Sequence, residues 1–188
     1  MLVVVARAAV HYQKAAGHED LHEDPLMVGK IALWLLGAVA LLALAVFAAA
    51  RLGAFAGTRP EDLGVRDGRL APCKSTPNCV SSRTSQAADP DHYVAPIALR
   101  TDPARGWSAL VEIVRTGARA RIVAEQPGYL RAEYASRVLA FVDDVELQLD
   151  AGAKLGHVRS ASRLGRRDFG VNRERIEAIR AQLAAAGV

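Results

Sequence analysis

Asp144 and Glu146 stand two residues apart in the stretch F-V-D-D-V-E-L. On a strand, alternate side chains share a face, so the two carboxylates would lie about 7 Å apart on one side. Such a pair can do acid–base work or hold a divalent cation. Salt bridges to Arg131 and Arg159 on neighbouring strands are the plainer reading. A second polar concentration follows in R-S-A-S-R-L-G-R-R-D-F-G-V-N-R-E-R, where six Arg from Arg159 to Arg175 face only Asp168 and Glu174. Guanidinium groups there could clamp phosphate or carboxylate, with Ser hydroxyls and a helix N-terminus adding donors. The plainer reading is a loop pinned by Arg to backbone carbonyls and to Asp144 or Glu146. The candidate polar site is therefore Asp144, Glu146, Arg159, Ser160, Ser162, Arg163, Asp168 and Asn172, with no residue assigned to catalysis and no cofactor or metal implied.

Other chemistries find less support. A serine nucleophile needs a base, and His92 and His157 are the only histidines after residue 22. No G-x-S-x-G elbow is present. His18-Glu19-Asp20-Leu21-His22 matches the H-E-x-x-H zinc pattern, but Gly17 and Pro25 leave hardly two helical turns around it. Cys73 and Cys79 are spaced C-x5-C, with no second pair to complete a zinc site. In an oxidising compartment they form a disulfide, and in the cytosol two inert thiols. A net charge of +4 and 5% aromatic residues give no footprint for nucleic acid.

The elements that must position these groups begin with a helix over 102–116, capped by Asp102 with Pro103 in its first turn. Trp107, Leu110, Val111 and Val114 share its apolar face. Four strands follow, at 119–125, 129–136, 139–149 and 154–162, joined by turns short enough for an antiparallel meander. Val145, Leu147 and Leu149 point one way, and Asp144, Glu146 and Gln148 point the other. One face is thus apolar, and the opposite, charged face is expected to be wet. A last helix, 172–186, takes Asn172 as its N-cap, with Val171 and Ile176 as a staple. Fold class is α+β: an antiparallel sheet of about four to five strands with two helices packed on one face. Residues 53–90, rich in Gly, Pro, Ser and Thr, read as loop with the cysteine pair, and residues 91–188 as the α+β domain.

Residues 31–50 carry no charged side chain and lie between Lys30 and Arg51. As a helix they would be about 30 Å long, the thickness of a bilayer's hydrocarbon core. The segment 27–52 is therefore a single transmembrane helix or signal anchor, preceded by a tail at 1–26. Met27-Val28-Gly29-Lys30 resembles the start of an export signal, so Met27 is an alternative initiator, and Ala54-Phe55-Ala56 offers a cleavage pattern. The expected location is a bacterial inner (plasma) membrane, with the C-terminal domain periplasmic or otherwise extracytoplasmic.

Three motifs in order resemble the DUF1499 family, whose function is unknown: L-G-V-R-D-G-R-L-A-P-C-K-S-T-P-N-C-V-S-S, then F-V-D-D-V-E-L, then R-S-A-S-R-L-G-R-R-D-F-G-V-N-R-E-R-I-E-A-I. The resemblance spans about residues 63–183. Lys74 and Arg83 depart from it, standing where the family tends to have Pro and Gln. It implies export or membrane attachment and no substrate. The expected function is a membrane-anchored binding or scaffolding module, with the bilayer as one partner and an anionic ligand or an envelope protein as another. The alternative is a hydrolase or transferase using Asp144 or Glu146 as base, with Arg159 and Arg163 as anion clamp.

Overall fold

The structure is a computed structural model that describes residues 25–188. The H-E-x-x-H match at His18–His22 and nearly all of the expected tail lie outside the described residues. Among the described residues, those up to Leu44 form one unit, and Ala45–Val188 form a second, compact one.

Helix α1 runs Pro25–Arg51. Its span Leu26–Arg51 is long and apolar enough to cross a membrane. Leu33, Trp34 and Leu41 stand exposed along it. From Leu26 to Ala48 every side chain is exposed, and only the last turn, at Ala50, is buried. An apolar helix of this kind suits lipid, where all its backbone groups are satisfied internally. A signal anchor has the same character.

In the second unit a short hairpin comes first, β1 (Val65–Arg66) with β2 (Arg69–Leu70). Asp67 and Gly68 turn it with positive φ values of 50° and 74°. Strands β3 (Cys79–Ser81) and β4 (Ile97–Ala98) follow. Helix α2 is Pro103–Arg115, and the Asp102 carboxylate accepts from the amides of Ala104 and Arg105. The meander is β5 (Ala120–Gln126), β6 (Tyr129–Ala135), β7 (Val142–Asp150) and β8 (Leu155–Ser162). Helix α3 is Val171–Ala185.

The α+β class stands, and the strand count is corrected to a six-stranded sheet. Its order is β3-β8-β7-β6-β5, with β4 also pairing on β8. Both added strands are antiparallel to β8 and share its free edge, β4 at Leu155–Gly156 and β3 at Arg159–Ala161. Part of the expected loop at 53–90 is thus sheet. The helices also pack on each other, rather than only on the strands. Leu110, Val111 and Val114 of α2 and Ile176, Ile179 and Leu183 of α3 share one core with Leu130, Val145, Leu147 and Val158.

The start of α3 also differs from expectation. Gly170, with φ 87°, precedes the helix, and Asn172 lies inside it with its side chain buried. The capping carboxylate is Asp168, which accepts from the amides of Gly170 at 3.2 Å and Asn172 at 2.9 Å. The left-handed turn at Phe169 and Gly170 brings an acid four residues upstream onto the helix start.

Candidate functional site

The sheet register divides the sequence-predicted site in two. Val145 pairs with Ser160, so these side chains share the helix face, and Glu146 pairs with Arg159 on the opposite face. Ser160, Ser162 and Asn172 lie on the helix side, where Asp168 caps α3. Asp144, Glu146, Arg159 and Arg163 lie on the other. The eight residues do not form one constellation.

On the helix side each polar group has a structural partner. The Ser160 hydroxyl donates to Asn172 Oδ1. The Asn172 amide donates to the Asn78 carbonyl at 3.1 Å and to Ser162 Oγ at 3.0 Å. Arg175 donates to Ser160 Oγ, Asn172 Oδ1 and Asp143, and its guanidinium lies 4.7 Å from the Tyr134 ring centroid. These bonds staple α3 and β3 to the sheet. Burial would raise the Asp168 carboxyl, but the Asn172 and Gly170 amides outweigh it and hold it below the usual range.

The opposite face is charged, as the alternation implies, but it is not wet. A strap of chain from Gly57 to Leu70 lies across it. The Gly64 amide donates to Glu146 Oε1 at 2.6 Å, Asp62 approaches Arg159 at 3.5 Å, and Gln148 donates to the Gly68 carbonyl at 2.8 Å. Beneath the strap Arg159 pairs with Glu146 at 3.1 Å. Arg163 makes a bidentate pair with Asp144, at 2.7 and 2.8 Å, and reaches Glu133. These contacts hold the Arg163 guanidinium well above its ordinary value, with the Asp144 hydrogen bond the largest cause and burial opposing it. Burial would raise Glu133, but hydrogen bonds from Arg121 and Arg163 prevail and keep it low.

The six-arginine stripe is likewise dispersed. Arg173 donates to the Tyr93 and Asp91 carbonyls, and Arg175 pins Asp143. Arg159 and Arg163 are buried in ion pairs, and Arg166 and Arg167 are exposed. The Asp144–Glu146 pair is held by guanidinium groups on a covered face, where neither carboxylate is placed to take a proton from a substrate.

Two arrangements escaped the sequence reading. The first is Ser82, whose Oγ lies 3.2 Å from His157 Nδ1, with Asp150 3.9 Å from the other ring nitrogen. It has the order of a hydrolytic triad without its geometry. Ser82 Oγ already accepts from the Val158 amide, and 3.9 Å is too long for a hydrogen bond to orient the imidazole. Burial and the nearby Arg83 push the His157 imidazole below its ordinary value.

The second is Arg131. It is 4% exposed, and its Nε and Nη1 have no hydrogen-bond partner. It lines a cavity of about 560 Å³ between the strap and the β5–β6 end of the sheet, with Arg59, Gly64, Gln126, Tyr129 and Gln148 among the walls. No acidic residue lines it. Glu146, directly opposite Arg131 in the ladder, is engaged instead by Arg159, by the Gly64 amide and by the Tyr129 hydroxyl at 2.8 Å. Burial, then the Glu146 charge, raise the Tyr129 phenol, which therefore stays a donor. A buried guanidinium with unmade hydrogen bonds beside an open space can accept an anion. The register could have drawn attention to Arg131, but only as a partner for Glu146.

The chain has no match among curated proteins or solved structures. A sequence profile described as "Protein of unknown function (DUF1499)" matches residues 69–183, more than half of the chain. Within that span fall the six-stranded sheet, α2, all but the last two residues of α3, and Arg131, and the chain belongs to the DUF1499 family.

Proposed function

We propose that this protein is a membrane-anchored binding module whose domain lies outside the cytoplasm and takes a small anionic ligand in the cavity under the strap. The observation that carries the proposal is Arg131: buried, charged, and without a partner for two of its nitrogens. Burying an unsatisfied polar group costs about 1–3 kcal/mol, more for a charged one. A ligand carrying phosphate or carboxylate would satisfy Arg131 through the guanidinium fork, and Arg59 at the cavity wall adds a second positive charge.

Location is supported separately. Helix α1 suits a bilayer, and the disulfide between Cys73 and Cys79 suits an oxidising compartment. An envelope component carrying phosphate or carboxylate is the corresponding ligand class. The alternative, a hydrolase or transferase using Asp144 or Glu146, has less behind it, because both carboxylates are buried against arginines.

The test is thermal unfolding of the full chain in detergent with inorganic phosphate or citrate, for wild type and Arg131→Met. A ligand that binds only the native state raises Tm with concentration. The expected result is a saturable rise in wild type that Arg131→Met abolishes. An equal rise in both proteins would remove Arg131 from the binding role.

A further inference from the structure

Phe169 is 92% exposed, and its backbone has a φ of 55°, a left-handed conformation that an aromatic residue seldom adopts. The left-handed turn serves the Asp168 cap of α3, and the ring it carries is left facing solvent, outside that cap. Phe141 is also exposed and follows Ala140, with φ 54°. Together with Leu164 and Val171, the two rings line an open apolar cavity of about 360 Å³ beside the start of α3. Val138, at the preceding hairpin tip, is exposed as well.

The position of this patch in the chain identifies its occupant. Phe55, four residues after α1 ends at Arg51, packs on Phe141 with ring centroids 5.9 Å apart. Gly57 lies against Arg163 and Leu164, where an added Cβ would come within 2.9 Å of each side chain. The segment that follows α1 in the chain therefore packs beside this patch. Arg167 lines it, and Arg137 and Arg166 are each next in sequence to a lining residue; all three are exposed and form no ion pair among the described residues. The two nearby acids are occupied, Asp143 by Arg175 and Asp168 by the amides of α3. The rim is thus positive and the centre apolar, the pattern of a surface that sits in the headgroup layer of an anionic bilayer.

We infer that Phe141, Leu164 and Phe169 dock the domain onto the anionic phospholipid surface of the membrane that holds α1. The inference rests on α1 being a membrane anchor, and not on the cavity at Arg131. Docking fixes the orientation of the domain on the bilayer and leaves the β7–β8 turn at Ala151–Lys154, the far end of β8, pointing away.

The test uses the full chain reconstituted in vesicles of phosphatidylcholine, with and without phosphatidylglycerol. An environment-sensitive fluorophore is placed at Phe169→Cys or, as the control, at Ala153→Cys; the two native cysteines are joined and do not react. Quenching by nitroxide-labelled lipid and co-flotation with the vesicles are read in the same samples. The expected result is several-fold stronger quenching at 169 than at 153, enhanced by phosphatidylglycerol and diminished by Arg166→Gln with Arg167→Gln. Co-flotation with equal, weak quenching at both sites would overturn docking and leave the anchor standing. Failure to co-float would overturn both. A blue-shifted probe at 169 that lipid nitroxide does not quench would mean that protein, such as a second copy, covers the patch, and would also overturn it.

Discussion

Arg131 and Glu146 face each other directly across the β6–β7 ladder, yet they form no ion pair. Arg159 holds the carboxylate from the other side, on β8. Glu146 can also accept from Gly64 and Tyr129, so the strap and the sheet compete for its oxygens and Arg131 is left over. The opposite charge nearby makes a buried Arg131 tolerable, while its hydrogen bonds stay unmade.

Stability should separate Arg131 from its buried neighbours. Arg163→Ala strips Asp144, 1% exposed, of its bidentate partner and should cost about 3–5 kcal/mol. Arg131→Met keeps the apolar stem and loses no protein hydrogen bond, so its cost should stay below about 1 kcal/mol. Denaturant unfolding of both variants checks the difference. Equal losses would make Arg131 a structural residue.

The strap forms one wall of the cavity, and Gly64 fixes the strap. Its φ is 110° and its amide is bound to Glu146. Gly64→Ala meets no steric clash but strains the backbone, which should cost about 1–3 kcal/mol. The expected sign is faster hydrogen exchange across residues 57–70, with the helices unaffected.

Reducing the disulfide should loosen the loop that leads into β3. Cys73 and Cys79 enclose a short segment, so Cys73→Ser with Cys79→Ser should cost about 2 kcal/mol in the chain-entropy model. Pro77 already stiffens the loop, which makes this an upper figure. Chemical denaturation with and without reductant measures it.

The pH dependence should include a contribution from His92. Its Nε2–H donates to the Thr76 carbonyl at 3.1 Å, and its Nδ1–H donates to Asp89 at 2.8 Å. Burial lowers its pKa, but these acceptors outweigh burial and raise it above 6.5. A raised pKa means that the protonated ring stabilises the fold. That contribution is complete below the unfolded value and fades as pH rises through the folded one. The gap in Tm between wild type and His92→Asn should therefore be wider at about pH 5 than at about pH 8. The reverse order would contradict the assigned imidazolium.

Much of this fold was legible in the sequence. Asp102-Pro103 marked α2, and the alternation of Val145 and Leu147 with Asp144 and Glu146 separated the two faces correctly. Strand β3 was not legible, because Cys79-Val80-Ser81 is three residues inside a Pro- and Ser-rich loop and becomes a strand only by pairing with β8. Asn172 was misread as a cap because local spacing cannot show that Asp168 reaches the amides of Gly170 and Asn172 around a left-handed turn and starts the helix earlier. The charged face was expected to be wet because alternation gives side-chain direction, and not what covers it. The strap that covers it is far away in sequence, as Gly64 and Glu146 show. The same separation hid Arg131, whose unpaired state follows from competition among residues on β6, β8 and the strap.

The most direct measurement is nuclear magnetic resonance of the arginine Nε–H groups in the full chain, titrated with inorganic phosphate. The Arg131 Nε–H signal, assigned by its loss in Arg131→Met, should shift saturably while those of Arg159 and Arg163 hold still. A stationary Arg131 signal, or equal drift of all three, would contradict it.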